Sequence, residues 1–427
     1  MALSHKGKFP CSASVLFGLT LGGFITPTCP LRLTALLPLT LCVTLCIPQC
    51  MPYMTRTPWA ALVGWYAVTH LYHYLDVALL SRWSFEDGGP VGGILRPMAG
   101  GSKDSMRAEK VEGDGSEVWE RFKFGVTVTM SFRFVGTRWA VRNTPRARIT
   151  QRKEFLRCAF LKILVSYCVL DLIGSSNDPK IDSCFLTTAK IPLLTRWNDV
   201  TAEELTIRSF TVLAAGVSLN CVQGGIYHIC ALLAVSTGVS DPGEWPPFYG
   251  DVGEAYLVRR FWDNFWHQTK SRKFSSIAHY VTHVVAGLPR GTIIGRYTRI
   301  LVAFTSSGVM HLIDDLASEV SIHESGAMRF FLVQALGVIV DDCIVRIYNL
   351  VVRKRMRISE TVAKTVGFVW VAFWLTWSVP AYMYPMLWRA NLGLNGSTVS
   401  FSFFGGGEER WKAGGCLLMM GVVALMG

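Results

Sequence analysis

From Ile207 to Ser236 the chain reads IRSFTVLAAGVSLNCVQGGIYHICALLAVS, a stretch almost free of charge. An α-helix rises about 1.5 Å per residue, so about 20 apolar residues reach across the roughly 30 Å hydrocarbon layer of a bilayer. Helices suit that layer because lipid offers no partner to an unpaired backbone N–H or C=O. Outward from this segment the same pattern recurs at Ala13 to Pro27, Leu33 to Pro48, Trp59 to Leu80, Phe155 to Ile173, Tyr297 to Ile313, Met328 to Leu350, Val366 to Leu387 and Ala413 to Met426. The pattern predicts an all-α fold, a polytopic transmembrane helical bundle of eight or nine spans. Ile277 to Ile294 is also apolar but is broken by Pro289, and is expected to lie at the interface or re-enter.

Composition agrees. Of 427 residues, 51% are hydrophobic and only 17% charged, whereas soluble domains carry about 25% charged residues. The formal net charge of +12 invites a nucleic-acid reading. The basic residues, however, sit in short runs beside apolar spans, where they orient the chain and attract anionic lipid headgroups. Membrane lipids are therefore expected partners, and nucleic acid is not. Twelve cysteines are present without a CxxC pair. Cys42, Cys46 and Cys50 repeat at helical spacing and read as packing residues, so no metal site is expected.

Three regions follow: N-terminal transmembrane helices over 1–80, a flexible cytosolic loop with a basic flank over 81–154, and a transmembrane core over 155–427. His5, Lys6 and Lys8 before an apolar run resemble a signal sequence, but hydrophobicity continues to Cys50 without a small-residue cleavage site, so a retained membrane segment is expected. Phe85 to Val118 is rich in glycine and mixed charge and cannot offset its ordering entropy by burial. Positive charge near span ends puts Arg138 to Arg157, Arg259 to Lys273 and Arg353 to Arg357 in the cytosol. Asp314, Asp315, Glu319 and Glu324 then fall on the lumenal side as an acidic loop. The Asn395-Gly396-Ser397 sequon falls there too, making Asn395 a usable glycosylation site.

Two stretches carry chemistry. The first is Trp245-Pro246-Pro247-Phe248-Tyr249-Gly250, followed by Arg259-Arg260-Phe261-Trp262-Asp263-Asn264-Phe265-Trp266-His267-Gln268. Dense aromatics with one polar end suit a membrane interface. The second, Ser306-Ser307-Gly308-Val309-Met310-His311, places a titratable group inside an apolar span, where it is costly and marks a functional candidate. His70 with His73, and His279 with His283, share helical faces as in membrane di-iron oxidases. No His-His dipeptide accompanies them, and helix packing is the preferred reading. Asp342 and Arg346 are spaced for an intrahelical pair. Asn220, Gln223, Gly224 and Gly225 suggest a helix face turned into the bundle.

Together, Arg260-Phe261-Trp262-x-x-Phe265-Trp266-His267-Gln268 and Ser307-Gly308-x-x-His311, with the Trp-Pro-Pro-Phe-Tyr-Gly lead-in at Trp245, resemble the wax-synthase-like branch of the membrane-bound O-acyltransferases. In particular they resemble fungal members that acetylate terpenoid and meroterpenoid natural products, and the match is close over Trp245 to Asp315, a signature region of 245–315. The resemblance implies a membrane-bound enzyme moving acetyl from acetyl-CoA, an acyl-CoA co-substrate, to a hydrophobic alcohol in secondary metabolism, with no tightly bound cofactor. It implies a multi-pass protein of the endoplasmic reticulum. His311 occupies the position of the proposed general base, and His267 the terminal position of the second motif. Asp263 and Asn264 depart from relatives, which often carry Gly and Arg there.

The chemistry is sound on its own terms. Acyl transfer must remove a hydroxyl proton and stabilise an oxyanion; neutral imidazole, with a reference pKa of about 6.5, accepts the proton near neutral pH. His267 or Asn264 donates a hydrogen bond to the thioester carbonyl. Arg260, Trp262, Asn264, Trp266, Ser307 and Gly308 are the expected substrate-binding residues. Arg259, Lys270 and Arg272 are expected to meet the phosphates of coenzyme A. Two rivals stand beside this reading: a long-chain wax or sterol ester synthase, and a transporter, which is commonly built from repeated halves.

Overall fold

The computed structural model describes residues 10–25, 29–92, 114–352, 359–391, 398–404 and 407–426. It is mostly helical, with one antiparallel two-stranded sheet pairing Trp83–Ser84 with Gly89–Pro90. Asn395 and the Arg353 to Arg357 run lie outside the described residues. Among the described residues, three helices are long and apolar enough to cross a membrane: Leu31–Met54, Ala202–Ser236 and Ile293–Ala317. A fourth span forms if Glu360–Ser378 and Pro380–Ala390, bent by 50°, cross as one.

Ala202–Ser236 shows why lipid is needed. Only 11% of its most apolar window is buried, while Phe210, Leu213 and Leu233 stand exposed. Apolar surface of that extent is stable against hydrocarbon tails and not against water.

The chain divides into two units. The first comprises Met1–Asn143 with Gln268–Ser359, the second Thr144–His267 with Glu360–Gly427.

In the first unit, helices Cys11–Ile25, Leu36–Cys46, Thr57–Tyr74 and Asp114–Met130 share an apolar core with Met310 and Ala317 of Ile293–Ala317. Gly64 and Ala317 meet at backbone distance, so Thr57–Tyr74 lies close along Ile293–Ala317. The Tyr72 hydroxyl donates to the Ser306 carbonyl across that seam, 3.2 Å away. Helix Ala327–Ile347 packs on Ile293–Ala317 as well, and Arg296 pairs there with Asp342 at 2.8 Å. The expected i,i+4 partner of Asp342 was Arg346; the neighbouring helix supplies a cation instead.

The expectation of a loop over 81–154 needs correcting where residues are described. Asp114–Met130 is a helix of 17 residues that buries Phe124 and Val128. Its Arg121 joins Glu117 at 3.0 Å and Glu86 of the hairpin at 2.8 Å. Glycine and charge counted over the whole stretch hid the apolar run that follows Glu120, which packs one helical face.

In the second unit, Arg152–Ser175 packs along Ala202–Ser236, burying Phe155, Leu156, Ala159 and Ile163 against Ala231, Leu232 and Val235. The 50° bend falls at Pro380, and Arg208, fully buried, supplies what the bend removes. Pro380 has no N–H to give the preceding turn. The Thr376 carbonyl instead accepts from Arg208 Nε at 2.9 Å, and the guanidinium also holds the carbonyls of Lys190, Ile191 and Trp377. One arginine thus satisfies backbone groups that lipid would leave orphaned.

Candidate active site

His311 lies in the first unit, two turns from the end of Ile293–Ala317, a helix started by the Thr292 hydroxyl, which accepts from the Gly295 N–H at 3.1 Å. The imidazole is 22% exposed. Its ring stacks on Phe331 of the next helix, with centroids 4.6 Å apart and planes 7° from parallel. Its Nδ1 is 3.1 Å from Oδ2 of Asp314, three residues on and therefore on the same helical face. Gly308, one turn earlier, faces Met328 and Phe331 and permits the close approach that brings Phe331 to the ring. Ser307 is buried beside it. Gly308 is thus a packing residue of the seam.

Asp314 and Asp315 are not the solvated lumenal loop expected from charge alone. Both are helical and buried. Asp315 accepts from the Ser325 hydroxyl at 2.5 Å, which ties it to the start of the following helix.

The cations expected to meet coenzyme A also differ. Arg272 is buried and donates through Nε to Asp76 at 2.8 Å, with Ser81 bridging the same carboxylate at 2.9 Å. Its guanidinium lies 4.4 Å from the Phe134 ring. Lys270 is buried with Nζ 3.5 Å from the Trp65 centroid, and burial, helped by Lys273, pushes it well below the usual lysine range. Lys273 is buried too and lowered by burial to about 7. Arginine and lysine at these positions read as surface charge because sequence shows the charge and not the aromatic wall around it. His70 and His73 pack among Phe17, Phe24 and Phe132, and the His73 Nε2 lies 2.7 Å from the Val128 carbonyl. No cluster of three metal-ligating side chains occurs among the described residues.

His267 lies in the second unit, at the end of an aromatic nest. Its ring centroid is 5.6 Å from Phe248, 5.9 Å from Tyr249 and 5.7 Å from Trp266. The nest is built by an i to i+5 turn over Phe261–Phe265, closed by the Trp266 N–H donating to the Phe261 carbonyl at 2.7 Å. Trp262 packs edge-on against Trp266 at 5.9 Å. Gly250 N–H donates to the Phe265 carbonyl at 2.8 Å, and the Asn264 carbonyl occupies the space a side chain at 250 would need. The Tyr249 hydroxyl donates to Gln223 Oε1 at 2.7 Å, so Gln223 does face inward from its helix. Arg260 pairs with Glu254 and covers Tyr256, while Asn264 Nδ2 reaches Glu254 at 3.5 Å. Arg259 is half-buried. Tyr249, Phe331 and Asp314 were missed as site residues; only Asp314, at i+3 from His311, had a readable signal.

Residues 245–333 match the profile of the membrane bound O-acyl transferase family. The chain is 32% identical to the acetyltransferase aurG of Calcarisporium arbuscula over 321 residues, covering 74% of this chain and 76% of that one. It is 30% identical to the acetyltransferase fsoF of Humicola fuscoatra over 339 residues, 74% of this chain and 80% of that one. The chain belongs to the membrane-bound O-acyltransferase family. The acyltransferase is also 28% identical to the acetyltransferase atnC of an Arthrinium species over 296 residues, 66% of this chain and 67% of that one. No solved structure matches it. Both motif histidines of the acyltransferase, His267 and His311, lie within the matched residues.

Proposed function

We propose that this enzyme moves an acetyl group from acetyl-CoA to a hydroxyl of a hydrophobic terpenoid or meroterpenoid, in secondary metabolism, from the endoplasmic reticulum membrane. The observation that carries the reading is the partly open imidazole of His311, set in an apolar helix within the family-matched segment. The names of the relatives support acetyl as the group transferred.

In this reading His311 takes the hydroxyl proton as the alcohol oxygen attacks the thioester carbonyl carbon. The carbonyl oxygen gains negative charge, which a hydrogen-bond donor stabilises. The C–S bond then breaks, the ester leaves, and the proton on His311 passes to the thiolate to give free coenzyme A. An apolar, water-poor surrounding limits hydrolysis of the thioester.

The test feeds microsomes containing the enzyme labelled acetyl-CoA or palmitoyl-CoA with a panel of terpenoid alcohols. New acetyl esters, absent from control microsomes, are expected by mass. Esters from palmitoyl-CoA alone would make it a long-chain ester synthase, and no ester from either would remove the reading.

A further inference from the structure

Building on the reading of His311 as the base, we propose that Asp314 is its positioning residue. Its buried carboxylate keeps the ring proton on Nδ1, and so presents the Nε2 lone pair to the alcohol.

The first support is geometry. Nδ1 and Oδ2 are 3.1 Å apart, and the i,i+3 spacing keeps both groups on one helical face. Phe331, nearly parallel to the ring at 4.6 Å, fixes the plane in which the imidazole lies. A ring held at one nitrogen and one face has little rotational freedom left. The carboxylate contact also decides the tautomer, because a carboxylate accepts and never donates when ionised.

The second support is what else Asp314 touches. Its side chain is 4% exposed, and neither oxygen has a well-aligned hydrogen bond among the described residues, which leaves the His311 Nδ1, 3.1 Å from Oδ2, as a polar group in reach. Burying a carboxylate with so little compensation is costly. Asp315, its neighbour, is equally buried but held by Ser325 at 2.5 Å. One aspartate therefore has a structural partner, and the other has the imidazole. A carboxylate behind a histidine base holds its orientation and stabilises the imidazolium formed when the proton is taken.

A helix-stabilising pair would look the same in a static structure but behaves differently under mutation. Wild type, His311→Ala, Asp314→Asn and Asp314→Glu are expressed in yeast membranes and quantified as folded protein by fluorescence-detected size exclusion. Rates are measured with labelled acetyl-CoA and whichever panel alcohol turns over fastest. Per folded molecule, Asp314→Asn is expected to lower kcat about 10²-fold or more with KM for acetyl-CoA held within about twofold, as for loss of an orienting partner. Asp314→Glu, which keeps the charge, is expected to recover part of that loss. Asp314→Asn with wild-type kcat, beside an inert His311→Ala, overturns the role of Asp314 alone. Turnover in His311→Ala overturns the underlying reading instead. If Asp314→Asn does not accumulate, Asp314→Ser is judged by the same criterion.

Discussion

Gly308 and Met328 share a space that admits only one side chain. A Cβ at position 308 would come within 2.9 Å of the Met328 sulfur and 3.3 Å of its Cα. Gly308→Ala is expected to push the two helices apart at the seam that carries His311 and Phe331. Overpacking of this kind costs about 1–3 kcal/mol. A lowered melting temperature in detergent is the expected outcome, partly restored by Met328→Ala in the double variant. Unchanged melting would mean the seam is looser than described.

Arg272 and Asp76 form a buried ion pair at 2.8 Å. Removing one partner of such a pair costs about 3–5 kcal/mol, because the other charge stays buried alone. Asp76→Ala is therefore expected to deplete folded enzyme sharply. Arg272→Met is expected to lower stability while leaving KM for acetyl-CoA unchanged in the folded fraction. A raised KM in that fraction would return Arg272 to the coenzyme A site.

Lys273 gives a pH signature. Burial lowers it to about 7, from an ordinary lysine value of about 10.4. Between those values the unfolded chain binds a proton that the folded chain does not, so stability rises with pH across that window. Melting temperature is expected to climb from pH 7 toward pH 10, less steeply in Lys273→Met than in wild type. Equal slopes would show that Lys273 keeps its proton in the fold.

The Tyr249 hydroxyl, 2.7 Å from Gln223, anchors the ring that packs on His267. Tyr249→Phe removes one hydrogen bond, worth about 0.5–1.5 kcal/mol, and is expected to lower turnover several-fold. His267→Ala is expected to cost far more without abolishing activity entirely. Wild-type rates in both would exclude the nest from the chemistry.

Much of this was legible in the sequence, and the residues explain where it stopped. The apolar run at Ile207 to Ser236 identifies a span because charge depletion over that length has few other meanings. His311 and His267 were readable because each ends a motif. Helix Asp114–Met130 was not, since its apolar face begins where a glycine-rich, charged stretch ends. Lys270, Arg272 and Lys273 misled for a related reason: a sequence shows a cation but not the carboxylate or aromatic ring that buries it. Arg208 belongs to the same class, its role visible only once the Pro380 bend leaves the Thr376 carbonyl without a backbone donor.

The most direct measurement is acetyl transfer by His311→Ala in purified microsomes, normalised to folded protein. With the imidazole gone, no side chain at that position can draw off the hydroxyl proton. Folded, membrane-inserted protein with no labelled ester above background is the predicted result. Ester formation at a rate near that of wild type would contradict the account.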